Sequence, residues 1–339
     1  MLAKLIEPIR IVTKSTPLGV TAAAALMGLF SFLDFRSSVR VILRYTSEEL
    51  SALAHEDYQT FIFIDCVEKS FRDRFVDRKT FFVSSMEAYT FGLSYSPEMV
   101  RFGAFFAAGQ VADCLSYHEQ LQCADTYLQA GLQAGVFHPD SKSAVIELTQ
   151  DFYNELRMTI AGKPMKLIDI GLLLTACTRV GKASSAVAAL LGDTAALDDC
   201  IKALNDHKTE LKRALAWCKQ NESATHKLAG VLVIHAKDYV ASYLTGSVAA
   251  HIAQEVQKGT LVLVLAHATD HTVRVSLRMS GRRDEMSMVD LIGQIFESIE
   301  GEYGGDMIAA GGSFKKSEEE KFLSAARKVL EQAFVEERV

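Results

Sequence analysis

The sequence predicts an α/β protein: an N-terminal domain built on a parallel sheet, a helical connector, and a smaller C-terminal α/β domain. Three observations predict it. Short β-rich runs alternate with helical runs over roughly the first ninety residues, the stretch from Pro97 to about Asn221 reads as helix, and a second set of strands and helices follows, carrying two glycine-rich turns. A chain of 339 residues has room for two domains with their own cores.

The N-terminal strands are expected at Ile9–Thr13, Val39–Arg44, Thr60–Asp65 and Thr80–Ser84, with helices near Val20–Phe35, Ser47–Ala54 and Glu68–Phe75 between them. Strands alternating with helices imply right-handed crossovers and a parallel sheet. The unbroken apolar run Phe61-Ile-Phe-Ile64 fits a strand covered on both faces. Pro17–Leu33 carries no charge and follows Lys4, Arg10 and Lys14, a pattern shared with signal peptides and short anchors. It is alanine-rich, shorter than the roughly 20 residues a membrane span needs, and preceded by a strand, so it reads as a buried first helix.

Helices are expected at Pro97–Ser116, His118–Ala134, Ser143–Ala161, Met165–Thr178, Lys182–Leu191 and Thr194–Gln220, with no strand among them. The last is the longest, and Leu197, Ile201, Leu204, Leu211, Leu215 and Trp217 form roughly one stripe along it. It reads as the connection between domains, ended by polar Asn221–Thr225. The second α/β unit has expected strands at Gly230–Ala236, Thr260–Ala266, Thr272–Arg278 and Ile308–Phe314, and helices at Gly246–Gln257, Met286–Ile299 and Ser317–Phe334. Ala266–His271 reads as a polar hairpin turn. Along Thr272–Arg278, Val273, Val275 and Leu277 face one way and Arg274, Ser276 and Arg278 the other, predicting a sheet with an open basic face. The expected domain limits are 1–191, 192–226 for the connecting helix and linker, and 227–339.

Composition narrows the function classes. A net charge of −6 excludes a strongly basic nucleic-acid binder and leaves room for a local basic groove. Cys66, Cys114, Cys123, Cys177, Cys200 and Cys218 form no C-x-x-C pair, and buried free thiols in a reducing cytoplasm fit them best. His55, His118, His138, His207, His235 and His251 show no metal-ligand spacing and read as surface or satisfied core.

Two segments point further. Arg278-Met-Ser-Gly-Arg282 ends a strand, and one helix later comes Gly304-Gly-Asp-Met-Ile-Ala-Ala-Gly311. Glycine turns beside Arg274, Arg278, Arg282 and Arg283 suit phosphate oxygens, which arginine and backbone amides bind without reading sequence. The order of elements and these segments resemble the DHH phosphoesterase superfamily, the RecJ-like nucleases, across essentially the whole chain. In that family a serine–glycine–arginine turn precedes a G-G-H-x-x-A-A-G loop, and Asp306 stands here where the loop's histidine would be. Thr175–Ala183 also looks like the family's glycine–arginine segment before the connecting helix.

The resemblance implies a two-metal phosphodiesterase site, and most of its expected ligands are replaced. Where the family's first motif reads H-x-D-x-D-G, this chain has Lys14, Thr16 and Leu18 ahead of Gly19. The aspartate ending a strand is kept as Asp65, the Asp-His-His motif falls on Ser84, Ser85 and Met86, and a helical aspartate is kept as Asp113. Two carboxylates do not hold two divalent ions in defined geometry. The resemblance therefore implies a catalytically degenerate member with no catalytic residue, no metal and no cofactor. It also implies a subunit of the replicative helicase assembly, with the GINS complex as direct partner and the MCM ring as neighbour. The length matches archaeal relatives lacking large insertions. The implied nucleic-acid face is Arg274, Arg278, Ser280, Arg282, Arg283, Gly304, Gly305 and Gly311, with weak, salt-sensitive binding to single-stranded DNA. Two other readings stay open. One is a divergent phosphoesterase using manganese or magnesium, with Asp77, Glu87 or His118 as added ligands. The other is a regulatory partner of an active nuclease paralogue.

Overall fold

In the computed structural model, the described residues are 4–42, 47–65, 75, 78–84, 87–88, 138–139, 156–221, 224–228, 230–269, 271–281 and 286–335. Expected features at Asp77, Ser85, Met86, Asp113, His118, Arg282 and Arg283, and the helices expected between 97 and 137, lie outside them. The chain divides into two units, Met1–Asp206 and His207–Val339.

The first unit opens with β1 (Ile9–Lys14), α1 (Pro17–Phe32), β2 (Ser37–Ile42), α2 (Ser47–Ala54), β3 (Thr60–Ile64) and β4 (Lys79–Val83). The sheet order is β2-β1-β3-β4 and every pairing is parallel, as the alternation predicts. All of β3 is buried, with Phe61 and Phe63 in one apolar cluster and Ile62 and Ile64 in another. Each such side chain contributes about 1.5–3 kcal/mol by leaving water. Twelve of the sixteen residues of α1 are buried, its alanines packing closely in the larger cluster. Among the described residues no helix is long and apolar enough to cross a membrane.

One expectation fails here. Residues 156–166 are a hairpin, not parts of two helices: β6 (Leu156–Ile160) pairs antiparallel with β7 (Lys163–Lys166), and β6 also pairs with the short β5 (His138–Pro139). Leu156, Met158 and Ile160 alternate with Arg157 and Thr159, and only the first set is buried in the core, a period of two rather than 3.6. Ala161 (φ 46°) and Gly162 (φ 77°) make a two-residue turn whose positive φ angles match the twist of a tight hairpin. Then follow α3 (Leu167–Arg179), α4 (Ala183–Leu190) and α5 (Thr194–Gln220).

In α5 the predicted stripe serves two cores. Leu197 and Leu204 are buried in the first unit, while Leu211, Leu215 and Trp217 pack on an apolar cluster of the second. The second unit continues with β8 (Thr225–Leu228), β9 (Val231–His235), α6 (Thr245–Glu255), β10 (Leu261–His267), β11 (Thr272–Met279), α7 (Met288–Phe296), β12 (Gly301–Gly305), β13 (Ala309–Lys315) and α8 (Glu319–Val335). Strand order is β12-β13-β11-β10-β9-β8, with β9 and β10 parallel and the rest antiparallel. The polar hairpin turn between β10 and β11 is present. Strands β8 and β12 depart from expectation: the first lies in a segment that reads as polar linker, the second in one that reads as a glycine loop.

This sheet is covered on both faces. Helices α7 and α8 bury Val273, Val275 and Leu277 on one side. On the other, α6 and the end of α5 bury Val262, Val264 and Ala266. The open basic face therefore needs correction: Ser276 is buried, and Arg274 and Arg278 are half-buried.

Candidate functional site

Parallel sheets present their carboxyl ends as the usual ligand-binding edge, because the loops that follow the strands gather there. Continuing the β1–β3 and β3–β4 registers past Val12↔Phe63 and Ile64↔Val83 places Lys14, Asp65 and Ser84 in one row along that edge. The row holds one ammonium group, one carboxylate and one hydroxyl.

The residues at this edge have local structural tasks. Thr16 is the N-cap of α1, its side-chain oxygen accepting from the Gly19 amide at 3.1 Å, with Pro17 in the first helical position. Leu18 is half-buried in that first turn. Gly19 is required by close approach, since a Cβ there would lie 2.5 Å from Thr13 Oγ1 and 2.7 Å from the Lys14 carbonyl oxygen. Ser15 Oγ donates to the Thr178 carbonyl at 2.9 Å, tying the same turn to the end of α3. Asp65 adopts a left-handed conformation (φ 54°), and its amide donates to the Val83 carbonyl at 2.8 Å. Ser84 and Glu87 form a reciprocal capping box: the Ser84 amide donates to Glu87 Oε2 at 2.7 Å, and the Glu87 amide donates to Ser84 Oγ at 3.1 Å. That Ser84 amide, and the Ser84 hydroxyl donating to the same oxygen at 3.0 Å, hold the Glu87 carboxyl below its ordinary value of 4.5. A cleft of about 990 Å³ in this unit is lined by Pro8, Ser37, Ser38 and Tyr58, at the amino ends of the strands and away from this row.

The second predicted group lies in the C-terminal sheet. Register puts Arg274 opposite Ser313, Ser276 opposite Gly311, Arg278 opposite Ala309, and Gly304 opposite Gly311. Paired residues share a face in an antiparallel ladder, so Arg274, Arg278, Gly304 and Gly311 are brought to one side. Gly304 is exposed with nothing within 4 Å of where a Cβ would be, leaving bare backbone. Gly311 lies where a Cβ would meet the Val275 carbonyl oxygen at 2.7 Å. Gly305 falls on the opposite phase of the strand, at the turn. Ser280 is buried and occupied: its Oγ donates to the Val256 carbonyl at 3.2 Å and its amide to the Thr260 carbonyl at 2.9 Å. Glu302 is opposite Ser313 and so adds a carboxylate to the same face.

Asp306 has a role that spacing did not reveal. Its Oδ1 accepts from the amides of Ile308 and Ala309, both at 2.9 Å, and its own amide donates to the Ala309 carbonyl at 2.8 Å. Through Oδ1 the carboxylate closes the β12–β13 turn. The aspartate followed two positions later by a turn amide was the available signal. Sequence spacing also concealed a cluster of His235, His267 and Glu319, because its members come from two strands and a helix.

Residues 230–332 match the DHHA1 domain family. No curated protein matches the chain in sequence. Among solved structures, RecJ from Thermus thermophilus in complex with Mn²⁺ aligns with a TM-score of 0.68 at 16% identity, over 94% of this chain and 51% of that one. Exonuclease RecJ bound to manganese aligns at 0.63 and 14% identity, over 94% and 88%. CDC45 from Entamoeba histolytica aligns at 0.60 and 9% identity, over 95% of each chain. The chain thus spans about half the length of the Thermus RecJ. The alignments define the fold as that of the RecJ structures. Within it, the C-terminal unit carries the DHHA1 domain.

Proposed function

We propose that this chain is a non-catalytic RecJ-like subunit of a replication assembly, binding the GINS complex and supporting the MCM helicase, with weak contact to single-stranded DNA. The carrying observation is the strand-end row of Lys14, Asp65 and Ser84. Two divalent ions about 3.5–4 Å apart need several carboxylates and imidazoles to activate water and stabilise the leaving oxygen. An ammonium group in that row opposes a cation by about 1 kcal/mol at 4 Å in water and by more where water is excluded. Thr16 and Ser84 are hydrogen-bonded as helix caps. Whole-length likeness to CDC45 of Entamoeba histolytica fits the non-catalytic reading. The DNA contact would use Arg274, Arg278 and the bare backbone at Gly304, with Glu302 limiting its strength.

A divergent manganese- or magnesium-dependent phosphoesterase is the second reading, favoured by the retained Asp65 and the likeness to Thermus RecJ structures in complex with Mn²⁺ and with Mg²⁺. Two measurements separate them. The first reading expects no hydrolysis of labelled single-stranded DNA or RNA with manganese, and co-purification with GINS proteins of the same organism at micromolar concentration. Robust hydrolysis abolished by Asp113→Ala, without a GINS complex, establishes the enzyme instead.

A further inference from the structure

His235 ends β9 and His267 ends β10, the one parallel pair in the C-terminal sheet. His235 is in register with Leu265, two residues before His267, so both imidazoles lie on the sheet face that α8 covers. Glu319 is the first residue of α8 and reaches both rings. Glu319 Oε1 is 2.6 Å from His235 Nε2, and Oε2 is 2.8 Å from His267 Nε2. The side chains are 13%, 6% and 16% exposed for His235, His267 and Glu319, so this is an interior cluster and not a solvated surface one.

We propose that His235, His267 and Glu319 form a binding site for a single transition-metal ion of the zinc class, distinct from the strand-end row of the first unit. Three features favour a metal over a shared proton. The donor set, two imidazoles and one carboxylate, is the combination that suits zinc, cobalt or nickel and leaves a fourth position for water. The Nε2 of His235 is buried and 2.6 Å from Glu319 Oε1 without the alignment of a hydrogen bond, so this interior ring nitrogen lacks a well-formed partner. Asp238 Oδ1 stands 3.1 Å from His267 Nδ1, on the far side of the ring from Glu319, where a carboxylate orients a metal-bound imidazole.

All the donor atoms lie within 4.8 Å of one another. Metal bonds of about 2.0–2.2 Å at tetrahedral angles put neighbouring donors roughly 3.4 Å apart, so loading requires Glu319 to withdraw by about 0.7 Å. Lys237 and Lys316 add positive charge nearby, and Asp238 and Glu319 balance it. An ion bound there would pin the start of α8 to the carboxyl ends of β9 and β10.

The test uses the full chain without a histidine tag, stripped with chelator and titrated with Zn²⁺ and with Co²⁺. One equivalent is expected to bind, with a higher melting temperature and the visible bands of low-symmetry cobalt. Glu319→Gln and His267→Asn should abolish the stoichiometric phase. Asp238→Asn, a change at an exposed side chain, should weaken it roughly 10- to 100-fold. Absence of stoichiometric binding in the folded wild-type chain overturns the proposal. So does binding that survives Glu319→Gln and Asp238→Asn unchanged, since the metal then sits elsewhere. If His267→Asn fails to fold, by circular dichroism of the apo protein, the other two variants decide the matter.

Discussion

The two units each bring side chains together at the carboxyl ends of parallel strands, and the two sets differ in kind. In the first, Lys14, Asp65 and Ser84 stand in a row flanked by helix caps, with a single carboxylate among them. In the second, His235 and His267 meet Glu319 with donors turned inward. Topology gathers side chains at the carboxyl ends of the parallel strands in both units, and their identities differ. The proposed metal site thus lies at a strand end that the sequence motifs do not mark, in the other unit from the row of Lys14, Asp65 and Ser84.

The sharpest way to break this contrast is to measure metal at each edge. Asp65→Asn is expected to leave zinc stoichiometry unchanged, whereas Glu319→Gln should abolish it, a difference of orders of magnitude in affinity read by calorimetry. The reverse pattern would move the chemistry back to the first unit. Next in size is Asp306→Ala, which removes acceptors from the Ile308 and Ala309 amides and should cost about 1–2 kcal/mol in urea unfolding. Asp306→Asn, which keeps an acceptor oxygen, should recover most of it. At the first edge, Thr16→Ala should cost about 1 kcal/mol through loss of the α1 cap, with no change in metal affinity. Such a result marks Thr16 as structural.

The smallest effect is a pH dependence. The Ser84 amide and hydroxyl lower the folded pKa of Glu87 below its ordinary 4.5. The unfolded chain then binds the proton more readily, so this stabilisation is present above about pH 4.5 and is lost as pH falls through the lowered folded value. The group is exposed, so only a few tenths of a kcal/mol are expected. Acid titration of Ser84→Ala should be flatter than that of the wild type below pH 5.

Much of the fold is legible because its signals are local. The run Phe61-Ile-Phe-Ile64 and the charge-free Pro17–Leu33 announce a doubly covered strand and a buried helix, and both form. The hairpin at 156–166 is harder to see because its strands are five and four residues long, and Ala161-Gly162 is the one local mark of its turn. Strand β12 is hidden because Gly-Glu-Tyr-Gly-Gly has little strand propensity; it forms by pairing with β13. The strand-end row is readable from motif positions. The His235–His267–Glu319 cluster is not, since it depends on strand register and on where α8 begins.

The turn closed by Asp306 also bears on how freely this sequence can change. A histidine at that position would lack the short carboxylate that accepts from Ile308 and Ala309, so any route toward an imidazole in the loop passes first through a weaker turn. Asp306 is thus a residue that the local backbone depends on, and its replacement is constrained by the turn before any ligand is considered.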